Sequence, residues 1–198
     1  MIKRLSDLIG AVIGLSLVGL PMLVVAIWIK LDSPGPVLFR QERVGRHGKR
    51  FRIHKFRTMR IDAERAGLQL TVGADPRVTR AGAWIRARRL DELPQFFDVL
   101  LGHMSIVGPR PDVPRYVEQY PADLRERVLS VRPGMTDPAS LAFRDEAELL
   151  AAAADPEREY MEVILPRKLA LAAAYADRAS LWTDLSVIGR TVAVLFSR

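Results

Sequence analysis

Two adjacent acids, Asp91 and Glu92, have the clearest potential for chemistry in this sequence. Three arginines precede them at close spacing: Arg86, Arg88 and Arg89. A carboxylate aimed at a phosphorus atom can act as a nucleophile, and nearby arginines can hold the phosphate group. Two neighbouring carboxylates also suit Mg²⁺, which prefers oxygen ligands and bridges to substrate phosphates. The pair therefore indicates phosphate chemistry, with both acids as catalytic and metal-binding candidates.

The same pair also has a purely structural interpretation. Apolar residues recur after it at helical spacing: Leu93, Phe96, Phe97, Leu100 and Leu101. With Gly102 closing the run, this pattern predicts a helix that starts at Asp91. Aspartate is a preferred N-cap, and both glutamate and a proline such as Pro94 suit the first helical turn. Capping and catalysis both remain open at this point.

A second candidate is Arg110, within the sequence GPRP at Gly108 to Pro111. The two prolines fix the backbone around the arginine, which reduces the entropy lost when its side chain is held against a phosphate. The alternative is a rigid turn that carries a solvated arginine. The element is thus a candidate phosphate clamp.

Composition limits the remaining classes of protein. The chain has 198 residues, which suits one domain, and its lack of cysteine excludes disulfides and thiolate metal sites. Its three histidines share no metal-ligand spacing: His47, His54 and His103. The formal charge is +7, and only five of the 30 basic residues are lysine. This bias towards arginine suits phosphate ligands or anionic lipid, but codon usage produces it as well. No recognised motif supports a nucleic-acid binder.

The basic residues concentrate in one stretch, between positions 40 and 60. Nine of them fall between Arg40 and Arg60, against a single acid, Glu42. Short β-prone runs flank a turn at Gly45 to Gly48, so this stretch is predicted to form a hairpin. Its charge fits either a basic surface on anionic lipid or a substrate site, and the two are compatible.

The most apolar stretch, Leu8 to Ile29, contains 22 consecutive uncharged residues. As a helix it would extend about 33 Å, enough to cross a bilayer. Because the run is long and no small-residue cleavage site follows it, a signal peptide is not expected. We therefore predict a membrane-embedded segment at 1–31 and a cytosolic domain at 32–198.

A simple span conflicts with two features of this segment. Pro21 is expected to break or kink the helix near its middle, and basic residues flank both ends. Since basic residues mark the cytoplasmic side, both ends are expected there. This favours a re-entrant helix that turns back at Pro21, with the Ser16 hydroxyl pairing the freed carbonyls.

Further helices are predicted along the remaining chain. Their ranges are Ile61 to Leu68, Thr79 to Arg89, Val113 to Ser130 and a pair within Glu146 to Arg178. The amphipathic tail that follows Trp182 suits either a membrane surface or packing on the domain. The chain is thus predicted to be α+β and mainly helical, with a re-entrant membrane helix, a compact α/β domain and amphipathic surface helices.

Five ordered strings resemble the bacterial sugar transferases, the monotopic phosphoglycosyl transferases. They are QERVG (Gln41 to Gly45), KFRTM (Lys55 to Met59), LDELPQ (Leu90 to Gln95), MSIVGPRP (Met104 to Pro111) and VRPGMT (Val131 to Thr136). The resemblance covers nearly the whole chain. It implies transfer of a sugar-1-phosphate from a nucleoside diphosphate sugar, usually a UDP-sugar, to a polyprenol phosphate at the start of polysaccharide or glycoconjugate assembly.

The resemblance also implies residue roles. Asp91 would attack the β-phosphorus and form a covalent phosphosugar, and Glu92 would take part in Mg²⁺ binding or acid/base work. Phosphate or anion contacts would come from Arg86, Arg110, Lys55, Arg57 and, by a less close match, Arg144. The sequence departs from the family at Leu20, where many members have serine before the proline, and at His103, where an acid is common.

Partners and location follow from the same resemblance. The expected partners are a nucleoside diphosphate sugar, a polyprenol phosphate and the phospholipid bilayer, without nucleic acid; a homodimer is compatible with the sequence. The expected location is the bacterial inner membrane, with the catalytic domain facing the cytoplasm. The alternative is a membrane-surface module that binds anionic lipid or phosphate ligands without catalysis.

Overall fold

The computed structural model describes residues 2–63 and 75–196, and there the fold is α+β and mainly helical, as predicted. The α-helices are α1 (Ile2–Asp32), α2 (Arg80–Ala87), α3 (Gln95–Leu101), α4 (Pro114–Val117), α5 (Ala122–Leu129), α6 (Pro138–Ala142), α7 (Glu146–Ala152), α8 (Pro156–Glu159), α9 (Leu165–Asp177) and α10 (Leu181–Phe196). The strands are β1 (Leu38–Phe39), β2 (Glu42–Val44), β3 (Arg50–Arg52), β4 (Lys55–Phe56), β5 (Ser105–Val107) and β6 (Gly134–Thr136).

Helix α1 continues through Pro21 without interruption. The predicted break at this residue is therefore wrong. A proline removes one backbone hydrogen bond, but the helix persists because apolar helix-forming residues flank it and both of its ends are anchored. The Ser16 hydroxyl donates to the carbonyl of Val12 at 2.9 Å, so it does not pair the carbonyl that the proline frees.

The N-terminal end of α1 is fixed to the domain by polar contacts. Lys3 Nζ lies 2.5 Å from Asp184 Oδ2 on α10. The buried Asp7 carboxylate accepts hydrogen bonds from the Ser105 hydroxyl at 2.8 Å and the Ile106 amide at 3.0 Å. Charged groups that are withdrawn from water need such partners. These contacts hold the start of α1 against β5 and α10.

The C-terminal end of α1 is fixed to the same domain. The guanidinium of Arg57 donates to the carbonyls of Ser33 at 2.8 Å, Ile29 at 3.5 Å and Pro34. Val25 and Ile29 pack in a buried cluster with side chains of β4 and α2. Both ends of the 31-residue helix therefore contact one domain.

Between these anchors α1 presents an exposed apolar face. It is formed by Ile9, Val12, Ile13, Leu17, Leu20, Leu23, Val24 and Ile27. The helix is long and apolar enough to cross a membrane. The spacing of three and four residues places these side chains on one side.

The predicted hairpin is present. Strands β2 and β3 pair antiparallel with Arg43 opposite Phe51, across a turn in which His47 has a φ of 57°. Strands β1 and β4 form a second antiparallel pair beside it. Strand β5 pairs parallel with β6, so that the GPRP element leaves the sheet next to Gly134, whose amide donates to the Pro109 carbonyl at 2.9 Å.

Two predicted helices differ from the structure. The helix at Val113 to Ser130 is divided into α4 and α5, because Pro121 cannot donate a helical hydrogen bond and disfavours helical geometry in the residue before it. The pair at Glu146 to Arg178 is present as α7 and α9, but the short α8 and a π-helical turn, Tyr160–Ile164, lie between them. The helix at Thr79 to Arg89 corresponds to α2, capped by Thr79. Most of Ile61 to Leu68 lies outside the described residues.

Candidate active site

A tight turn between α2 and α3 presents the acidic pair. Arg89 adopts a left-handed conformation with a φ of 54°, which ends α2 and redirects the chain. Residues Leu90–Glu92 then form a single 3₁₀ turn. A left-handed non-glycine residue costs of order 1–2 kcal/mol, and such strained residues cluster at functional sites as well as in tight turns.

The capping interpretation of Asp91 is wrong. Helix α3 begins at Gln95, and the residue at its N-cap position is Pro94. No side chain caps either α3 or the 3₁₀ turn. The predicted helix from Asp91 therefore starts four residues later, and the two carboxylates precede it in a separate turn that faces a cavity.

Glu92 is held by two cations. The terminal nitrogens of Arg110 donate to both of its carboxylate oxygens, and Nη1 lies 3.1 Å from Oε2. Lys55 Nζ donates to Oε1 at 2.8 Å. The side chains of Glu92 and Lys55 are each 16% exposed, so this network is largely shielded from water. Such charge-assisted bonds fix geometry strongly.

The surroundings shift the pKa values of this network. Burial acts to raise the pKa of Glu92, but the charges of Arg110 and Lys55 prevail and hold it well below its usual value. The Glu92 carboxylate raises the pKa of Arg110. Burial lowers the pKa of Lys55, although Glu92 opposes this effect. Glu92 therefore stays ionised at neutral pH and is poorly suited to donate a proton.

Asp91 differs from its neighbour because its carboxylate pairs with Lys55 only at a longer distance and accepts no hydrogen bond from the described residues. Lys55 Nζ lies 3.7 Å from Asp91 Oδ2, and no hydrogen bond to this carboxylate exists within residues 2–63 and 75–196. Burial and the adjacent Glu92 charge raise the pKa of Asp91, while Lys55 lowers it. A less stabilised carboxylate is a more basic and more reactive nucleophile.

The acids face a cavity of about 500 Å³, which we call the polar cavity. Its wall includes Arg43, Lys55, Arg86, Arg89, Asp91, Glu92, Arg110, Asp112, Tyr116, Ser140, Phe143, Arg144, Glu146, Tyr160 and Lys168. The volume lies within the usual range for ligand pockets, about 300–1,000 Å³. The concentration of arginines around two acids suits a substrate that carries several phosphate charges.

Most candidate residues from the sequence meet in this cavity. Arg86, Arg110, Arg144 and Lys55 all line it. Arg57 does not, because its guanidinium is occupied by the carbonyls at the end of α1. The expected anion contact of Arg57 is therefore not supported, and its role in the structure is to anchor that helix.

Sequence reasoning missed the far wall of the polar cavity. Arg43 lies there with its Nε buried and without a hydrogen-bond partner among the described residues. Lys168 Nζ pairs with Glu146 at 2.8 Å and lies 5.3 Å from the Tyr160 ring centre. Only the QERVG string, which contains Arg43, gave any signal. The other residues come from helices whose order in space the sequence did not reveal.

His103, whose role the sequence left open, lies outside the polar cavity. Its Nδ1 is 3.7 Å from Asp98 Oδ1, a buried carboxylate that also contacts His54 Nδ1 at 2.8 Å. The Phe51 ring lies 5.5 Å away, centre to centre. These contacts give the histidine a packing role beside α3.

The described residues contain no group of three or more His, Asp or Glu side chains that could hold a metal ion. Both oxygens of Glu92 already accept hydrogen bonds from cations. The donor set therefore does not form a closed metal cage. Two adjacent carboxylates do fit an ion shared with substrate phosphates and water, the usual arrangement for Mg²⁺.

Comparison with known proteins agrees with this geometry. The sequence matches the family described as bacterial sugar transferase over residues 1–198. It is 39% identical over 198 residues to the UDP-N-acetylgalactosamine-undecaprenyl-phosphate N-acetylgalactosaminephosphotransferase of Aeromonas hydrophila, covering 99% of this chain and 44% of that protein.

Two other relatives act on a different sugar by name. The chain is 36% identical over 195 residues to the UDP-glucose:undecaprenyl-phosphate glucose-1-phosphate transferase of Escherichia coli, covering 97% of this chain and 39% of that protein. The protein of the same name from Caulobacter vibrioides is 36% identical over 198 residues, covering 98% of this chain and 70% of that protein. The chain thus spans less than half of the first and second of these three relatives.

Proposed function

The chain belongs to the bacterial sugar transferase family, and from this we propose that it is a phosphoglycosyl transferase. It moves a sugar-1-phosphate from a nucleoside diphosphate sugar, of the UDP class, to a polyprenol phosphate. The product is a polyprenyl diphosphate sugar, which begins polysaccharide or glycoconjugate assembly.

The observation that carries this proposal is the state of Asp91. Its carboxylate faces a basic cavity, caps no helix and accepts no hydrogen bond from the described residues. In the first step an Asp91 oxygen attacks the β-phosphorus of the donor. The bond from this phosphorus to the bridging oxygen breaks, and the nucleoside monophosphate leaves with that oxygen.

A second displacement completes the reaction. A phosphate oxygen of the acceptor attacks the same phosphorus, the bond to Asp91 breaks, and the carboxylate is restored. Because the nucleotide leaves before the acceptor reacts, the kinetics are ping-pong. Nucleoside monophosphate is then released once per active site even without acceptor.

The cations of the polar cavity hold the phosphates in this scheme. Arg110 and Lys55 are fixed by Glu92, so they are in place before substrate arrives. Arg86 and Arg144 add positive charge on other walls of the cavity. Since Glu92 is held ionised by its partners, we assign it to positioning these cations rather than to proton transfer.

Mg²⁺ is proposed as a cofactor shared with the substrate. Asp91 and Glu92 would contribute carboxylate oxygens and the donor would contribute its phosphate oxygens. When bound, the ion would neutralise part of the charge on the diphosphate. Activity is accordingly expected to require a divalent cation.

The anchoring of α1 supports membrane attachment from one side. Lys3 and Ile29, near opposite ends of the helix, both contact the same folded domain, while the apolar face between them is exposed. A helix that crossed the bilayer would separate its two ends by the hydrocarbon core, about 30 Å. We therefore propose a monotopic placement, in which both ends of the continuous helix α1 and the domain lie on the cytoplasmic face of the inner membrane.

A membrane-surface module that binds phosphate ligands without catalysis is the second candidate. The basic hairpin and the exposed face of α1 favour it. It required Asp91 to act as a helix cap, however, and no side chain caps the turn or α3. The free carboxylate favours the enzyme.

A panel of UDP-sugars tests the proposal. Purified protein is incubated with each sugar nucleotide, polyprenol phosphate and Mg²⁺, and release of UMP is measured. We expect turnover with at least one sugar, and a single-turnover burst with that sugar when the acceptor is omitted. Absence of release with every sugar would refute the proposal, whereas release that strictly needs the acceptor would refute the covalent step.

A further inference from the structure

A second cavity of about 300 Å³, which we call the apolar cavity, adjoins the polar one. Helices α3, α6 and α10 and strands β5 and β6 contribute to its wall. The wall comprises Arg88, Arg89, Leu90, Glu92, Leu93, Phe96, Ile106, Arg110, Met135, Thr136, Ser140, Leu141, Arg144, Ile188, Thr191, Val192 and Val194. Aliphatic and aromatic side chains dominate, and the charged ones are confined to the two residues after α2, the acidic turn, GPRP and the segment after α6.

The two cavities share Arg89, Glu92, Arg110, Ser140 and Arg144. This shared wall, which we call the junction, contains three arginines against one carboxylate. The Ser140 hydroxyl is buried there and has no hydrogen-bond partner among the described residues. An unpaired buried hydroxyl is costly unless a ligand pairs it. The junction is therefore suited to a phosphate group next to Asp91.

The interior of the apolar cavity offers little to a polar ligand. The hydroxyls of Thr136 and Thr191 lie 2.8 Å apart and bond to each other, and Thr191 also donates to the Val187 carbonyl at 2.8 Å. A sugar or nucleoside placed here would lose hydrogen bonds to water without replacement. An aliphatic chain loses nothing by leaving water and gains its burial energy.

From these features we infer that the apolar cavity binds the first isoprene units of the acceptor, with its phosphate at the junction. The inference rests on the proposed function and assigns a separate subsite to each substrate. The donor occupies the polar cavity. The acceptor reaches the phosphosugar on Asp91 from the apolar cavity, on the other side of Glu92 and Arg110.

The position of the apolar cavity beside α1 supports this assignment. Phe96 and Ile106 line the cavity and also contact α1, where a Cβ at Gly14 would lie 2.6 Å from Phe96 Cζ and one at Gly10 would lie 2.4 Å from Ile106 Cδ1. These glycines bring the helix close to the cavity wall. Because α1 is the proposed membrane element, a prenyl chain has a short path from lipid into the cavity.

Val192→Trp on α10 is the test, because Val192 lines the apolar cavity and is 46% exposed, so the larger ring can be accommodated by the fold. Leu185→Trp is the control, since this residue lies on the same helix, is 58% exposed and does not line the cavity. For both variants in lipid nanodiscs, we measure the burst of UMP release without acceptor and the KM for the acceptor, polyprenol (polyprenyl) phosphate.

We expect Val192→Trp to keep the UMP burst and to raise the KM for polyprenyl phosphate about tenfold, as the loss of roughly two buried CH₂ groups would do. Leu185→Trp keeps both values. An unchanged KM in Val192→Trp, or an equal rise in both variants, would overturn the inference while leaving the proposed function intact. If Val192→Trp loses its burst, Val192→Asn provides the same test without added bulk. A missing burst in the unmodified protein would instead refute the proposed covalent step.

Discussion

Glu92 and Arg110 are 18 residues apart in sequence and form a two-point ion pair, with Nη1 of the arginine 3.1 Å from Oε2 of the glutamate. Lys55 joins the same carboxylate from β4 at 2.8 Å. The pair connects the acidic turn to the GPRP element, so the position of Arg110 depends on the residue next to Asp91. If Asp91 is the nucleophile and Arg110 holds phosphate, as we propose, catalysis and substrate binding are coupled through the Glu92 side chain.

Replacing Glu92 with glutamine should disrupt this arrangement. The amide keeps the shape of the carboxylate but loses its charge, so Arg110 and Lys55 are no longer held in place. Misplacement of catalytic groups by about 1 Å can cost 10²-fold, and we expect a fall in kcat/KM of that order. Steady-state UMP release measures it. Full activity in Glu92→Gln would show that the ion pair is dispensable, and Glu126→Gln, remote in sequence on α5, is the matched control.

The rate of the first half-reaction should depend on the ionisation of Asp91. Burial and Glu92 raise the pKa of this carboxyl above its ordinary value of 3.8, and only the ionised form attacks phosphorus. The burst rate should therefore fall as the pH drops through a pKa above 3.8. Lys55→Met removes a charge that lowers the Asp91 pKa, so the acid limb should move to higher pH. An acid limb in the same position in both proteins would contradict this.

Arg57 and Arg86 were both expected to bind anions, and the structure separates them. Arg57→Met should leave the carbonyls at the end of α1 unpaired, lowering the free energy of unfolding by about 1–3 kcal/mol, with little change in the KM for UDP-sugar. Arg86→Met removes a charge from the polar cavity and should raise that KM. Thermal unfolding and donor titration together distinguish the roles. A raised KM in Arg57→Met, without loss of stability, would restore the anion contact.

The fold was predictable where local chemistry decides it. Gly45 to Gly48 marked the hairpin, and Thr79 marked the start of α2. Long-range packing was not predictable, which is why the resemblance of the KFRTM string implied an anion contact for Arg57, whereas its guanidinium binds carbonyls at the end of α1. Tyr160 and Lys168 come from the opposite end of the chain, and no local pattern connects them with Asp91.

The acidic turn shows a different limit. Asp91, Glu92 and Pro94 are the residue types expected at the start of a capped helix. The helix nevertheless begins at Gln95. The left-handed geometry of Arg89 causes the difference, and a non-glycine residue in that conformation cannot be foreseen from sequence. Pro121 in the sequence indicated a break between α4 and α5, but the helical pattern on both sides of it favoured one continuous helix.

Membrane topology can be measured directly because the chain has no cysteine. Single cysteines at Ile2 and Leu31, which are 70% and 81% exposed, mark the two ends of α1. In sealed vesicles both should react with a membrane-impermeant maleimide added from the side of the domain. Labelling of only one end from that side would restore a simple span.

Mass spectrometry of the intact protein tests the central claim, that Asp91 carries the sugar phosphate. With its UDP-sugar and no acceptor, the unmodified protein should gain the mass of one sugar phosphate, mapped to Asp91 by peptide analysis, and lose it when polyprenyl phosphate is added. Asp91→Asn should show neither adduct nor UMP release, with unchanged thermal stability because the side chain caps no helix. Turnover by Asp91→Asn, or an adduct on another residue, would contradict the account.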